Sequence, residues 1–287
     1  MSLESLAGRV IGPARMPVPA AAVGDFVTAT GDDPGRWQTF APPAFAAVAL
    51  FTVAPSLLAD PEVARLGRSL LHTEQAFGWT RPLAVGEELE VTGRVAAVRS
   101  RGSLHLVSFE VAAAGPAGPW MEGASAFLLS AEAAGDADEE AEPPFEARAS
   151  CDPALPEALP AVGEALAALW RSASRADLAR YAAAGGDRNP IHQDHHAARA
   201  AGLPGVVAHG LLLAAWFCQA AARYRPGPHP LRRARVRFRN PLRPAVAAVV
   251  TGRVARRDGD GAELELQLAS AVSGGAPLAT ATVRVTP

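Results

Sequence analysis

Hydrophobic and polar residues follow the same plan in both halves of the chain: one long apolar segment, then shorter segments in which apolar and polar residues alternate. In the first half, Ala44–Leu58 is apolar nearly throughout and predicts a buried helix that Pro55 should end or kink early. Arg9–Val18 is a possible strand before it, and Val23–Thr30 runs into a turn-rich stretch. The strands predicted after the helix are Ser69–Trp79, Glu87–Val98, Leu104–Ala113 and Trp120–Leu129.

The second half has the same plan with more detail before its long helix. Ala161–Ala173 is a candidate strand, and Ser174 with Asp177 forms a capping-box pattern that starts a short helix ending at the Gly185-Gly186 pair. The remaining predicted helices are Gln193–Ala201 and the long, buried His209–Tyr224, and the predicted strands are Arg233–Arg239, Ala245–Ala255, Ala262–Ala271 and Leu278–Val285. Each half therefore predicts an α+β unit with one long helix and an antiparallel sheet.

Repeated sequence indicates that the two halves arose by duplication. The segment Val91–Ala96 recurs letter for letter as Val250–Ala255. Two further pairs correspond between the halves, Pro82-Leu83 with Pro241-Leu242, and Gly31-Asp32 with Gly186-Asp187. We therefore divide the chain into a first domain over residues 1–130, an acidic Ala- and Pro-rich linker over 131–160, and a second domain over 161–287.

Composition narrows the classes of function. Hydrophobic residues make up 49% of the 287 residues, which supports a sizeable core, and the net charge of −2 argues against binding nucleic acid or an anionic membrane. Cys151 and Cys218 are far apart in sequence, and the longest apolar run is too short to span a bilayer. The N-terminus lacks a signal-peptide pattern. We therefore expect a reduced, soluble cytoplasmic protein.

One loop in the second half combines residues suited to acid–base chemistry. Asp187 and His192 lie five positions apart, and Pro190 between them holds the backbone out of a helix. Gly210 then starts the long helix, whose first N–H groups can bind developing negative charge. An acid, a base and an oxyanion site suit a reaction at a carbonyl compound. In the first half Trp37 takes the place of the histidine, so we expect one active site in the chain.

The segment from Tyr181 to Gly210 resembles the signature of the (R)-specific enoyl-CoA hydratases, the MaoC-like dehydratases. It reads YAAAGGDRNPIHQDHHAARAAGLPGVVAHG. The first half, with His72–Phe77 and Arg81–Leu83, is similar to the degenerate domain often fused to them. The resemblance implies a double hot-dog fold, in which each domain wraps an antiparallel sheet around a long helix. After Pro241–Pro244 the chain has Ala245-Val246 where the family usually has Gly-Asp.

The resemblance also implies an activity and a set of site residues. The activity is interconversion of trans-2-enoyl and (R)-3-hydroxyacyl thioesters, with no cofactor beyond the coenzyme A carried by the substrate. The implied partner is an acyl-CoA or acyl-carrier-protein thioester, and we expect a homodimer. The catalytic residues would be Asp187, His192, Asn189 and the backbone N–H of Gly210. Tyr181 and Pro190 belong to the same signature and are assigned to substrate binding.

Several alternatives remain open from the residues alone. Asp187 is expected to activate water and His192 to handle the α-carbon proton, and the sequence alone does not exclude the reverse. Arg235, Arg237 and Arg239 alternate on one strand and either contact phosphates or form a solvated face. The rival functions are a carrier-protein dehydratase, a non-catalytic acyl-thioester-binding subunit and a thioesterase.

A metal site is not expected from the histidines of this loop. His192 and His196 are four positions apart, as on one face of a helix, but Pro190 places His192 on the loop instead. His195 and His196 are expected to be exposed, and His209 to be a structural residue at a helix start.

Overall fold

The computed structural model describes residues 3–66, 69–130, 158–271 and 276–287. The predicted linker lies outside the described residues except for its last three positions. The first half contains β1 (Val10–Pro17), α1 (Ala20–Thr30), β2 (Phe40–Ala41), α2 (Ala46–Leu58), α3 (Pro61–Leu66), β3 (Ser69–Trp79), β4 (Leu83–Ala84), β5 (Glu88–Arg101), β6 (Leu104–Gly115) and β7 (Gly118–Ser130). The second half contains β8 (Leu169–Arg171), α4 (Arg175–Gly185), α5 (His195–Ala200), α6 (Gly210–Ala222), β9 (Leu231–Phe238), β10 (Ala248–Asp258), β11 (Gly261–Ser270) and β12 (Ala279–Val285).

Among the described residues, ten of these strands form one continuous antiparallel sheet. Its order is β1-β5-β6-β7-β3-β9-β12-β11-β10-β8, so each half contributes five strands in the same order counted from the centre. The halves join where β3 pairs with β9, from Glu74 opposite Arg237 to Gly78 opposite Arg233. This arrangement, with a long helix in each half, is an α+β double hot-dog fold, and its symmetry about the β3–β9 junction is what a duplication predicts.

Close packing in both halves leaves no room for a side chain at the glycine of the repeated segment. Gly93 in β5 faces the ring of Phe109, and an added Cβ would lie 2.4 Å from a ring carbon. Gly252 in β10 faces the backbone of the next strand, where an added Cβ would lie 2.3 Å from the carbonyl oxygen of Glu265. Real Cβ contacts are never so short, so both close approaches depend on glycine.

The two long helices lie against the sheet of their own half, and the shorter helices α1 and α4 pack against each other. After Gly210, every residue of α6 is buried, which explains the absence of any polar stripe on this helix. In the part of the chain that is described, none of the helices combines the length and the apolar character that crossing a membrane requires.

Val23–Thr30, to which the sequence analysis assigned no element, lies in α1, and Gly31 caps this helix with a φ of 66°. The structure differs from the sequence predictions at two places. Pro55 does not end α2, which continues to Leu58. Near the end of a helix a proline removes only one hydrogen bond, and the buried Val53 and Leu57 on either side keep the last turn in the core. The strand predicted over residues 161–173 forms only at Leu169–Arg171.

Candidate active site

The loop between α4 and α5 is shaped by hydrogen bonds of its own polar side chains. Helix α4 ends at Gly186, whose φ of 83° turns the chain toward Asp187. The Asp187 carboxylate accepts a hydrogen bond from the backbone N–H of Asn189 at 3.2 Å. The Asn189 side chain accepts one from the N–H of Ile191 at 3.3 Å, which starts a single 3₁₀ turn over Pro190–His192. This tight turn brings the His192 ring back toward Asp187.

The expected acid/base pair is assembled in this loop. His192 Nε2 lies 3.8 Å from Asp187 Oδ2, and the two side chains are only 8% and 13% exposed. His192 Nδ1 lies 2.8 Å from the carbonyl oxygen of Val207. A carbonyl can only accept, so Nδ1 carries the hydrogen and Nε2 of the neutral ring presents a lone pair toward Asp187.

Burial shifts both members of the pair toward their uncharged forms. It raises the pKa of Asp187 above its ordinary value, and the nearby imidazole offsets part of that rise. It lowers the pKa of His192 below its ordinary value, and the Asp187 carboxylate offsets part of that fall. The pair is therefore suited to exchange protons with each other and with a bound water.

His209 is a member of this cluster that the sequence interpretation treated as a helix-start residue. Its ring stacks on His192 with centroids 3.8 Å apart. Its Nε2–H donates to the backbone carbonyl of Asp187 at 3.2 Å. Burial lowers the pKa of His209 to about 2, so the ring is neutral, and on its other side lies Tyr181 at 4.9 Å. No sequence pattern distinguishes this role from that of a structural residue at a helix start, because the role depends on ring contacts made in the fold.

Gly210 is the first residue of α6, so its N–H has no partner within the helix. It lines a cavity of about 210 Å³ together with Asp187, Asn189 and His192. The first half contributes part of the cavity wall. These first-half residues are Phe51, Leu58, Leu70, Leu71, His72, Thr73 and Phe127.

The five predicted substrate-binding residues are not brought together. Arg239 lines the cavity, but Arg235 and Arg237 lie on the opposite, outer face of the sheet, where both pair with Glu74 of β3. The reason is strand alternation, because the buried Ala234 and Val236 point toward the helices and the arginines between them point away. Pro190 is exposed and does not line the cavity, and Tyr181 is fully buried behind His209.

Donor atoms of Asp187, His192 and His209 lie within 4.8 Å of one another, a spacing at which a metal ion could be held. Hydrogen bonds to the carbonyls of Val207 and Asp187 engage one nitrogen of each ring. His192 and His196, the pair weighed above as metal ligands, lie in different environments, since His192 is buried and His196 is exposed on α5.

The corresponding loop of the first half contacts the end of α6 instead of forming an acid/base pair. Arg36 donates to the carbonyls of Ala222 and Arg225 at the C-terminal end of α6, and its guanidinium lies over the Trp37 ring at 4.6 Å. Phe45 occupies the position before α2 that His209 occupies before α6, and it packs against Phe26 at 5.3 Å. Aromatic rings thus replace both histidines, and Arg36 of this loop binds the C-terminal end of α6.

Comparison with protein families finds a match in each half of the chain. Residues 157–267 match the model of the family described as the MaoC like domain. Residues 5–115 match the FAS1-like, dehydratase domain region. Each half is thus similar to a dehydratase domain, and the loop with Asp187 and His192 lies within the residues that match the MaoC like domain.

Two curated relatives match parts of the chain. UPF0336 protein PPA1896 of Cutibacterium acnes is 34% identical over 93 residues, which are 32% of this chain and 62% of that protein. The 3-hydroxyacyl-thioester dehydratase X of Mycobacterium tuberculosis is 43% identical over 111 residues, 38% of this chain and 36% of that protein. The matches thus span less than two thirds of either relative.

Solved structures match nearly the whole chain. A MaoC-like dehydratase has a TM-score of 0.76 at 22% identity, covering 99% of both chains. HtdX of Mycobacterium tuberculosis has a TM-score of 0.67 at 25% identity, covering 96% of this chain and 100% of its own. Another Mycobacterium tuberculosis protein, described as having a double hot-dog fold, has a TM-score of 0.68 at 12% identity over 98% of both chains.

Proposed function

We propose that this protein is a hydro-lyase that adds water to a trans-2-enoyl thioester, giving the (R)-3-hydroxyacyl thioester, and catalyses the reverse dehydration. The observation that carries the proposal is the buried Asp187/His192 pair beside Gly210, all three lining one cavity. The match of residues 157–267 to the MaoC like domain supports the reaction class. The name of the relative 3-hydroxyacyl-thioester dehydratase X supports a thioester substrate.

The gap between the two catalytic side chains suits one water molecule. With 3.8 Å between Nε2 and Oδ2, a water oxygen can lie at about 2.8 Å from both. The water oxygen forms a bond to C3 of the enoyl group, while one of its O–H bonds breaks and the proton goes to the pair. The π electrons move to C2, and C2 receives a proton from the pair. Proton transfer of this kind contributes about 10²–10⁴-fold in rate.

The tautomer of His192 favours one assignment of the base and acid roles within the pair. Its Nε2 has a lone pair and its pKa is lowered, so it is ready to take the proton from water. The raised pKa of Asp187 favours a protonated carboxyl that can deliver to C2. This reverses the roles that the sequence alone suggested. The pair ends the step with one proton, as it began, so the next turnover needs only a proton shift between them.

Negative charge that develops on the thioester oxygen is assigned to the N-terminus of α6. The Gly210 N–H is free of the helix ladder, and the helix dipole adds to it. One oxyanion donor is worth about 3 kcal/mol when removed. Asn189 shapes the loop through its bond to Ile191, and Arg239 at the cavity is the group we assign to the phosphates of coenzyme A or a carrier's pantetheine.

The test is loss of the enoyl-thioester absorbance when purified protein meets 2-enoyl-CoA esters, with chiral analysis of the alcohol formed. The same esters attached to an acyl carrier protein distinguish the two thioester carriers. We expect the (R)-alcohol from the wild-type protein and at least a hundredfold lower kcat from Asp187→Asn. Hydration that Asp187→Asn performs at the wild-type rate would rule the mechanism out.

A further inference from the structure

Helix α6 begins with the oxyanion candidate, so the position of the helix along its own axis decides where the Gly210 N–H lies. The helix has 13 residues, and at a rise of ~1.5 Å per residue it is about 20 Å long. Five of the 13 are alanines, mostly near the C-terminal end. Because short side chains interlock little with their neighbours, hydrogen bonds gain weight in holding α6 lengthwise.

The C-terminal end of α6 is held by an arginine of the first half. Arg36 donates to the carbonyl oxygens of Ala222 at 2.8 Å, Arg225 at 2.5 Å and Gly227 at 3.3 Å. Ala222 is the last residue of α6, and a helix end leaves such carbonyls without a partner inside the helix. A guanidinium presents its N–H groups in a fixed plane, so binding to several acceptors fixes their relative positions.

A second contact joins the same end of α6 to the first half. Gln219 is 5% exposed, and its side-chain amide donates to the carbonyl oxygen of Thr30 at 3.0 Å. The oxygen of the same amide accepts from Arg171 at 3.0 Å. Thr30 is the last residue of α1, six positions before Arg36. One short segment of the first half therefore binds α6 at two levels that are roughly one helical turn apart.

This segment is the duplicated counterpart of the acid/base loop. Arg36 directly precedes Trp37, the residue that takes the place of the histidine. Burial raises the pKa of Asp32, the counterpart of Asp187, and the nearby charges of Arg36 and Arg171 offset part of that rise. The first-half loop has thus kept its acid and carries, in place of a base, an arginine that binds α6.

We infer that Arg36 is a positioning residue for the reaction: by binding the C-terminal end of α6 it fixes the helix lengthwise and places the Gly210 N–H against the thioester oxygen. The inference rests on the function proposed above. A helix is stiff along its axis, so a displacement at one end reaches the other, about 20 Å away. Misplacing a catalytic group by about 1 Å can lower the rate about 10²-fold.

The first experiment measures kcat and KM of Arg36→Gln for a 2-enoyl-CoA, with kcat calculated per mole of folded protein. We expect kcat to fall about tenfold, as for a displacement of less than about 1 Å. KM should change less than threefold, because Arg36 is not among the described residues that line the cavity. Arg36→Lys keeps the charge and loses the planar set of donors, so its kcat should fall only about threefold.

Arg81→Gln is the matched control within the first half. Arg81 also has a largely buried guanidinium, which donates to the carbonyls of Pro82 and Gly118 and pairs with Glu87. None of these partners belongs to α6. Loss of Arg81 leaves the Glu87 carboxylate without its partner and should lower the unfolding temperature, while kcat per mole of folded protein stays within twofold of wild type. Equal falls in kcat for Arg36→Gln and Arg81→Gln would overturn the inference.

A double variant tests whether Arg36 acts through Gly210. Gly210→Ala already crowds the oxyanion site, because the added Cβ would lie 3.3 Å from the Phe238 ring. Adding Arg36→Gln to this variant should therefore lower kcat by less than about threefold more. A further tenfold fall would mean that Arg36 acts on another part of the site, and the inference would be wrong.

Hydrogen exchange separates the inference from the reaction. In the first turn of α6, the N–H groups of Leu212 and Leu213 donate to the His209 carbonyl at 3.1 and 3.3 Å. These N–H groups should exchange about fivefold faster in Arg36→Gln than in wild type or Arg81→Gln. If they do, and the wild type hydrates no enoyl thioester, the reaction is wrong and Arg36 still places α6. Exchange at the wild-type rate in Arg36→Gln overturns the role of Arg36, whatever the turnover.

Discussion

His209 contacts both the acid and the base and directly precedes the oxyanion donor in the chain. Replacing His209 therefore measures its contribution to catalysis. Its ring stacks on His192, its Nε2–H holds the backbone carbonyl of Asp187, and Gly210 follows it in the chain. His209→Phe keeps an aromatic ring in this place and removes the donor. Phe45 occupies the equivalent position in the first half, which shows that the fold accommodates phenylalanine there.

The expected fall in kcat for His209→Phe follows from the hydrogen bond that this change removes. A buried acceptor left without its donor costs about 1–3 kcal/mol. If that cost falls on the geometry of the Asp187 loop in the transition state, kcat falls about 5- to 150-fold. The cavity lining does not include His209, so KM should change less than threefold. Loss of folded protein would also lower the apparent kcat at constant KM, so kcat is calculated per mole of folded protein.

The assay measures kcat and KM for a medium-chain 2-enoyl-CoA, with thermal unfolding of the same samples. His209→Gln is the matched variant, because its amide can donate to the Asp187 carbonyl again, and it should recover part of the lost kcat. A His209→Phe protein that is folded and keeps kcat within twofold of wild type would refute the positioning role.

Three further predictions concern the helix end, the buried ring and the arginines. Gly210→Ala should lower kcat at least tenfold, because the added Cβ would lie 3.3 Å from the Phe238 ring and crowd the oxyanion site. Steady-state kinetics measure this loss, and an unchanged kcat would contradict the role of Gly210. The pKa of His209 is lower in the folded protein than its ordinary value of 6.5. The neutral His209 ring therefore makes its full contribution to stability above pH 6.5, and this contribution is lost as the pH falls toward about 2. Between pH 7 and pH 5 the wild type should therefore lose about 2 kcal/mol more unfolding free energy than His209→Phe in urea titrations, and equal losses would contradict the buried neutral ring. Arg239→Ala should raise KM for a CoA ester at least threefold and Arg235→Ala should not, since only Arg239 lines the cavity; equal effects would mean that the outer face binds substrate.

Much of the site could be predicted because it lies in one continuous segment. The glycine pair, the acid, Asn189-Pro190 and the histidine are close in sequence, and local hydrogen bonds fold them into one turn. The strand predicted over Glu87–Val98 corresponds to β5, Glu88–Arg101, because the alternation of its apolar residues matches the buried positions of that strand.

The predictions that failed depended on where a strand ends or on contacts between residues distant in sequence. Arg235, Arg237 and Arg239 alternate on one strand and suggested a single surface, but the chain leaves β9 at Phe238, so Arg239 is free to turn to the cavity. The role of His209 depends on contacts with residues distant in sequence, and a histidine before a helix has no pattern that distinguishes it from a structural residue. The first-half wall of the cavity likewise arises only when β3 pairs with β9.

The central claim is that Asp187 and His192 act as a unit on one water. The most direct measurement compares kcat for Asp187→Asn, His192→Gln and the double variant with wild type, on a 2-enoyl-CoA of six carbons. We predict that each single change lowers kcat about 10²–10⁴-fold and that the double variant is hardly slower than the slower single one. Losses that multiply in the double variant, or a single variant with nearly wild-type kcat, would contradict a shared catalytic pair.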